Sequence, residues 1–176
     1  MKDLSISALT ANFGALPIVL LSILILILPF YFIWGAQTIN KGIFSIYHNL
    51  LYFIIAVVLG SFLHELLHAI GFIIFGKISV TKIKIGIKWK YIAPFAHCKI
   101  AVKAKIYLIA LLLPAIVLGI IPAFIALILG IGWLMIYGIV FTILAGGDLL
   151  VLWLIRKVNS NQMVQDHPTR CGCYVI

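Results

Sequence analysis

Long uncharged apolar runs, not an amphipathic period, set the pattern of this chain of 176 residues. The first, Ala15 to Trp34, matches the roughly 20 residues a spanning helix needs, and it is too long and too weakly flanked for a cleaved signal peptide. The second covers about Asn49 to Phe75. The stretch from Ile106 to Ile155 is long enough for two more, with Asp148 its only ionisable acid and Gly130-Ile131-Gly132 placed to fold it back on itself. Four spans are therefore expected, at about 15–34, 49–75, 106–129 and 133–155, followed by a tail over 156–176. No repeat or second domain is visible, so residues 1–176 read as one membrane-embedded unit.

Between the second and third spans the period changes to two. From Val80 to Tyr91, Lys82, Lys84, Lys88 and Lys90 fall on one face and Ile83, Ile85, Ile87, Trp89 and Tyr91 on the other, the pattern of a half-buried strand. A second alternating run covers His97 to Lys105, and Ala93-Pro94-Phe95-Ala96 is placed to turn the chain between them. The expected element is a β-hairpin over about 78–105 at the membrane surface. The fold class is thus a membrane all-α protein, four transmembrane helices with an interfacial β-hairpin between the second and third.

Composition sharpens this. The chain is 65% hydrophobic and 10% charged, while soluble domains are about half apolar. Eight of the 13 Lys and Arg residues lie between spans two and three, which predicts a cytoplasmic hairpin and, with four crossings, cytoplasmic termini. The net charge of +9 then reads as topology and attraction to anionic lipid headgroups; no soluble basic surface for nucleic acid is evident. Cys98, Cys171 and Cys173 fall on the same reducing side, so a structural disulfide is not expected. The last four residues fit a prenylation box only formally, because Ile176 is not a typical final residue.

Candidate chemistry sits inside the second span, where His64-Glu65-Leu66-Leu67-His68 interrupts the apolar run. Two imidazoles four residues apart share one face of a helix and can grip a divalent zinc, with the carboxylate between them placed to act as base. Any one of these residues alone would read as a satisfied core group. Glu65 is the chain's one glutamate, however, and two of its five histidines flank it in the HExxH order.

A catalytic zinc usually takes three protein ligands and leaves a fourth position for water. Position 74 is Ile, which excludes the long metzincin pattern, and no second Glu follows for a gluzincin. Asp148, Asp166, His48, His97, His167 or a cysteine remain. Depth favours Asp148: His68 lies nine residues before Lys77 and Asp148 eight before Arg156, so both sit about 12–14 Å from the same ends of co-directional helices. Ala145-Gly146-Gly147 before it would let helices approach closely, or would simply serve ordinary helix packing.

HELLHAIGF in the second span, Pro114 in the third and Gly146-Gly147-Asp148 in the fourth resemble the putative zincin peptidases, a family built on a domain of unknown function and related in architecture to the site-2 proteases. In the latter, the HExxH helix supplies two zinc ligands and a catalytic Glu, and an Asp in a later span completes the site. The resemblance implies His64 and His68 as ligands, Glu65 as base and Asp148 as third ligand. It covers most of the chain from the second span onward, and Asp166-His167-Pro168 is similar to the family's carboxyl end. The Asn-Pro that often accompanies the Asp of site-2 proteases is missing.

The expected function is a membrane-embedded zinc metalloprotease, with Zn2+ as cofactor and a membrane protein or peptide as substrate. A helical substrate must be unwound, and a strand edge bearing Ile83, Ile85, Ile87 and Trp89 could hold it extended by strand addition; a plain interfacial anchor is the other use of that hairpin. His97 and Cys98 read as strand residues before they read as a second metal site. Alternatives are a zinc-binding carrier or scaffold without turnover and a purely structural membrane protein. A carrier should offer several ionisable groups along a path, and the spans hold only Glu65 and Asp148 as acids.

Overall fold

The computed structural model describes residues 2–89 and 93–176. Strand β1 (Lys2–Ile6) leads into α1 (Ala8–His48) and α2 (Leu50–Gly76). Strands β2 (Ile83–Lys88), β3 (Ala93–Cys98) and β4 (Val102–Lys103) follow. Helix α3 (Ala104–Pro114), a π-helical turn (Ala115–Ile120) and α4 (Ile121–Leu129) then form one rod, and α5 (Gly132–Leu144) and α6 (Gly146–Ile155) precede β5 (Met163–Asp166) and β6 (Cys171–Val175).

Three helical rods, Phe13–His48, Leu50–Gly76 and Ala104–Leu129, are long and apolar enough to cross a membrane. The expected fourth span is instead a pair of helices, α5 and α6, bent by 49° at Ala145. Packing is the reverse of a soluble bundle. On α2 one stripe is buried (Gly60, His64, Leu67, His68, Gly71) while Phe62, Leu63 and Leu66 point outward, as expected where lipid solvates apolar side chains and the polar ones must find partners inside.

The first rod is longer than the run Ala15 to Trp34. Gly35 leaves helical geometry at φ 72° and ψ 169°, and the chain resumes as helix to His48 instead of forming a loop. Nothing from Ala36 to His48 breaks a helix except Gly42, and that glycine serves packing: a Cβ there would lie 2.5 Å from the Gly132 carbonyl carbon. The segment therefore lies against the start of α5. Asn49 ends it by returning its side-chain amide to the Ser45 carbonyl at 3.0 Å.

The hairpin is present with a different turn. β2 and β3 pair antiparallel in the register Ile85 with Ala96 and Ile87 with Pro94, so Ala93-Pro94-Phe95-Ala96 is strand and not the turn. The expected second strand from His97 to Lys105 is divided among the end of β3, β4 and the start of α3. Proline is tolerated at position 94 because β3 is paired on one side only, in a two-stranded sheet. Lys90 and Tyr91 lie outside the described residues.

The tail is not a free extension. A four-stranded antiparallel sheet in the order β1-β6-β5-β4 joins both termini and the lead-in to α3. A buried cluster including Phe72, Tyr107, Val151, Ile155, Val164 and Cys173 ties this sheet to α2, α3 and α6. Burial pushes the Cys98 thiol up, and it pushes that of Cys173 up to about 12 with help from the nearby Asp166 carboxylate. Both thiols are therefore protonated and inert at neutral pH.

Candidate metal centre

His64 and His68 lie one turn apart on the buried stripe of α2, each 8% exposed. Asp148 reaches them from α6. The bend at Ala145 places it in the first turn of that helix, where the dipole favours a carboxylate. Its Oδ2 atom is 3.1 Å from His64 Nε2 and 3.5 Å from His68 Nε2. Gly146 contributes on the opposite side, since a Cβ there would meet Val19 of α1 at 2.6 Å, while Gly147 has open space around it and lines the cavity at the site.

The tautomer of His68 follows from its other nitrogen. Nδ1 lies 2.9 Å from the Ala110 carbonyl oxygen, an acceptor only, so Nδ1 carries a proton and, in the neutral ring, Nε2 presents the lone pair. Two sequence features make that bond possible. Pro114 has no N–H to give the carbonyl four residues back, which leaves Ala110 free to accept from the imidazole. Gly71 lets the backbones meet, because a Cβ on it would lie 2.7 Å from Ala110 Cα. Replacing Gly71 by Val is expected to push α3 away, break the His68 bond and weaken zinc binding about 10–100-fold, measured by competition with a chromogenic chelator.

A lone pair on His68 Nε2 facing a carboxylate oxygen demands positive charge between them. A proton serves one such pair at a time, while a divalent ion serves both imidazoles and the carboxylate at once. The spacing fits as well: two atoms each about 2.0–2.1 Å from a tetrahedral zinc lie about 3.3 Å apart. Ligand atoms of His64, Glu65 and His68 also lie within 4.8 Å of one another. These residues can therefore hold a metal.

Glu65 stands beside the imidazoles with its Oε2 accepting from the Ala96 N–H of β3 at 2.7 Å. A cavity of about 180 Å³ adjoins the three acidic and imidazole groups Glu65, His68 and Asp148, and the tail lines it too, through Asp166, Arg170 and Gly172. Asp166, in the tail, accepts from His97 Nδ1 at 2.8 Å and from the Tyr107 hydroxyl at 3.0 Å. Its only sequence signal was the similarity of Asp166-His167-Pro168 to a family carboxyl end. His167 organises the turn that follows, its Nδ1 accepting from the Thr169 and Arg170 amides. His48 is remote, bonded to Phe44 at the end of α1.

Ile83, Ile85, Ile87 and Trp89 are not among the residues lining that cavity. The strand that hydrogen-bonds Glu65 is β3. Ile83 is buried, and Ile85 and Trp89 are exposed by 53% and 79%.

No curated protein matches the chain, and neither does any solved structure. A family model described as "Putative zincin peptidase" matches residues 57–163, more than half of the chain and all four of His64, Glu65, His68 and Asp148. With the HExxH pair on one helix face and a carboxylate delivered to it from a second helix, the chain belongs to this zincin peptidase family.

Proposed function

We propose that this protein is a membrane-embedded zinc peptidase, in an arrangement like that of the site-2 proteases, which cleaves membrane protein or peptide segments at or within the bilayer. The observation that carries the reading is the convergence of His64 Nε2 and His68 Nε2 on Asp148 Oδ2 with Glu65 alongside. In this reading His64, His68 and Asp148 hold the zinc. Bound there, zinc supplies a Lewis acid and lowers the pKa of its water towards about 7. Glu65 accepts a proton from the attacking water and returns it to the leaving nitrogen. The Ala110 carbonyl keeps the His68 imidazole oriented through the cycle.

A lateral groove of about 530 Å³ supports a membrane substrate: Val58, Phe62, Pro94 and Leu144 line it together with His64 and Glu65. An apolar segment can reach the site along it. For topology we propose four crossings with both termini and the hairpin in the cytoplasm. The terminal sheet supports this, because it joins segments that precede α1, precede α3 and follow α6, and the lysines between α2 and α3 supply the positive-inside charge.

The test uses the full chain in lipid nanodiscs with internally quenched apolar peptides. One zinc per chain is expected, with cleavage abolished by a chelator and restored by zinc. Stoichiometric zinc without cleavage of any peptide or co-reconstituted membrane segment would leave a carrier or scaffold as the better description.

A further inference from the structure

The backbone donors along one edge of β3 are all committed. Lys99 N–H donates to the Lys82 carbonyl at 2.9 Å, which sets the alternation of the β2/β3 ladder: residues 95 and 97 face β2, and residues 94, 96 and 98 face outward. Pro94 has no N–H. Ala96 donates to Glu65 Oε2 at 2.7 Å, and the Cys98 N–H lies 3.4 Å from Asp166 Oδ2. Successive outward donors of one strand are thus held by two carboxylates, one on the HExxH helix and one on β5.

Asp166 is itself fixed from two further directions. His97 Nδ1 lies 2.8 Å from its Oδ2 and the Tyr107 hydroxyl 3.0 Å from its Oδ1, while the same hydroxyl lies 3.2 Å from the Gly172 carbonyl of β6. Tyr107 is buried in α3, one turn before the residue that fixes His68. Asp166 also lines the cavity shared by Glu65, His68 and Asp148. Of the chain's four acidic residues, three therefore gather at this cavity, and the third enters from outside the spans.

We propose that Asp166 is a positioning residue for the peptidase reaction: it clamps β3 so that the Ala96 N–H holds the Glu65 carboxylate at the scissile bond. This rests on the peptidase reading above. A general base gains its rate advantage only when held at the reacting atoms, and a displacement of about 1 Å can cost about 100-fold. Burial of Ile83 and Cys98 seats the hairpin in the core, but a single N–H···O bond from a two-stranded hairpin still needs its outer strand edge fixed. The tail carboxylate supplies the anchor, binding the strand one outward position beyond Ala96.

The experiment reads zinc content, amide exchange and steady-state kinetics on four variants of the nanodisc-embedded chain. Asp166→Asn is expected to keep one zinc, to speed amide exchange at Ala96 and Cys98 about tenfold, and to lower kcat about 10–100-fold with KM changed less than about threefold. Asp166→Glu should recover part of both effects, and Asp3→Asn, which alters the terminal sheet's other carboxylate, should change neither. Ala96→Pro removes the donor directly without disturbing the β2 pairing; it should reproduce the kcat loss, and it carries the test if Asp166→Asn does not fold. Unchanged exchange in Asp166→Asn, faster exchange with wild-type kcat, or wild-type kcat in Ala96→Pro would each overturn the proposal. A wild-type chain that binds no zinc and cleaves nothing would instead refute the peptidase reading, and the exchange measurement would still decide whether the clamp exists.

Discussion

Glu65→Gln is expected to leave zinc bound and to lower turnover by about 100-fold to 10,000-fold, the range spanned by loss of a positioned general base. The side chains are nearly isosteric, and a Gln carbonyl can still accept from Ala96 N–H as Glu65 does at 2.7 Å. The hairpin should stay in place, which isolates the loss of proton transfer from any loss of structure. Metal content and cleavage are measured on the same preparation. Retained zinc with lost cleavage is the signature of a base; unchanged cleavage would remove Glu65 from the mechanism.

Asp148→Ala should weaken zinc binding by more than about 100-fold, beyond the range of outer-shell partners. It deletes the carboxylate oxygen that lies within 3.5 Å of both imidazole Nε2 atoms and leaves two neutral nitrogen donors, with Glu65 as the remaining carboxylate close to them among the described residues. The competing ligand set is His64, Glu65 and His68, whose donor atoms are also close. Comparing the two variants separates these sets. If Asp148→Ala keeps zinc and Glu65→Gln loses it, Glu65 is the third ligand and the proposed mechanism falls.

Much of the architecture could be read in advance because bilayer burial imposes long apolar runs, and runs of that kind carry their own boundaries. The HExxH pair was equally plain, since helix geometry alone places residues 64 and 68 on one face. The tail was not. Residues 163–175 hold two short strands fixed by pairing with β1 and β4 and by burial of Val164, Cys173 and Val175, and pairing between segments so far apart along the chain leaves no local period. The turn of the hairpin was misplaced because Pro94 reads as a turn residue, and only its position on an unpaired edge makes it acceptable as strand.

Pro114 shows how a local signal can carry more than it discloses. Its missing N–H is a local property that frees the carbonyl at Ala110; that His68 takes that carbonyl is decided by the packing of α2 on α3. Asp148 is similar. Matching depths predicted a meeting with His68, but the contact is made through a 49° break at Ala145 that no pattern announced.

From sequence alone came the apolar, membrane-length character of the long helices, the approximate limits of the second and third rods, and the identities of the groups able to bind a metal, all consequences of neighbours along one helix or of solvent preference. Tertiary structure decided which carboxylates face the imidazoles, which nitrogen of His68 is free, and that the two chain ends close over the site as a sheet. Those are contacts between residues 31 to 173 positions apart, whose energies depend on distance in space, and a linear pattern records distance only along the chain.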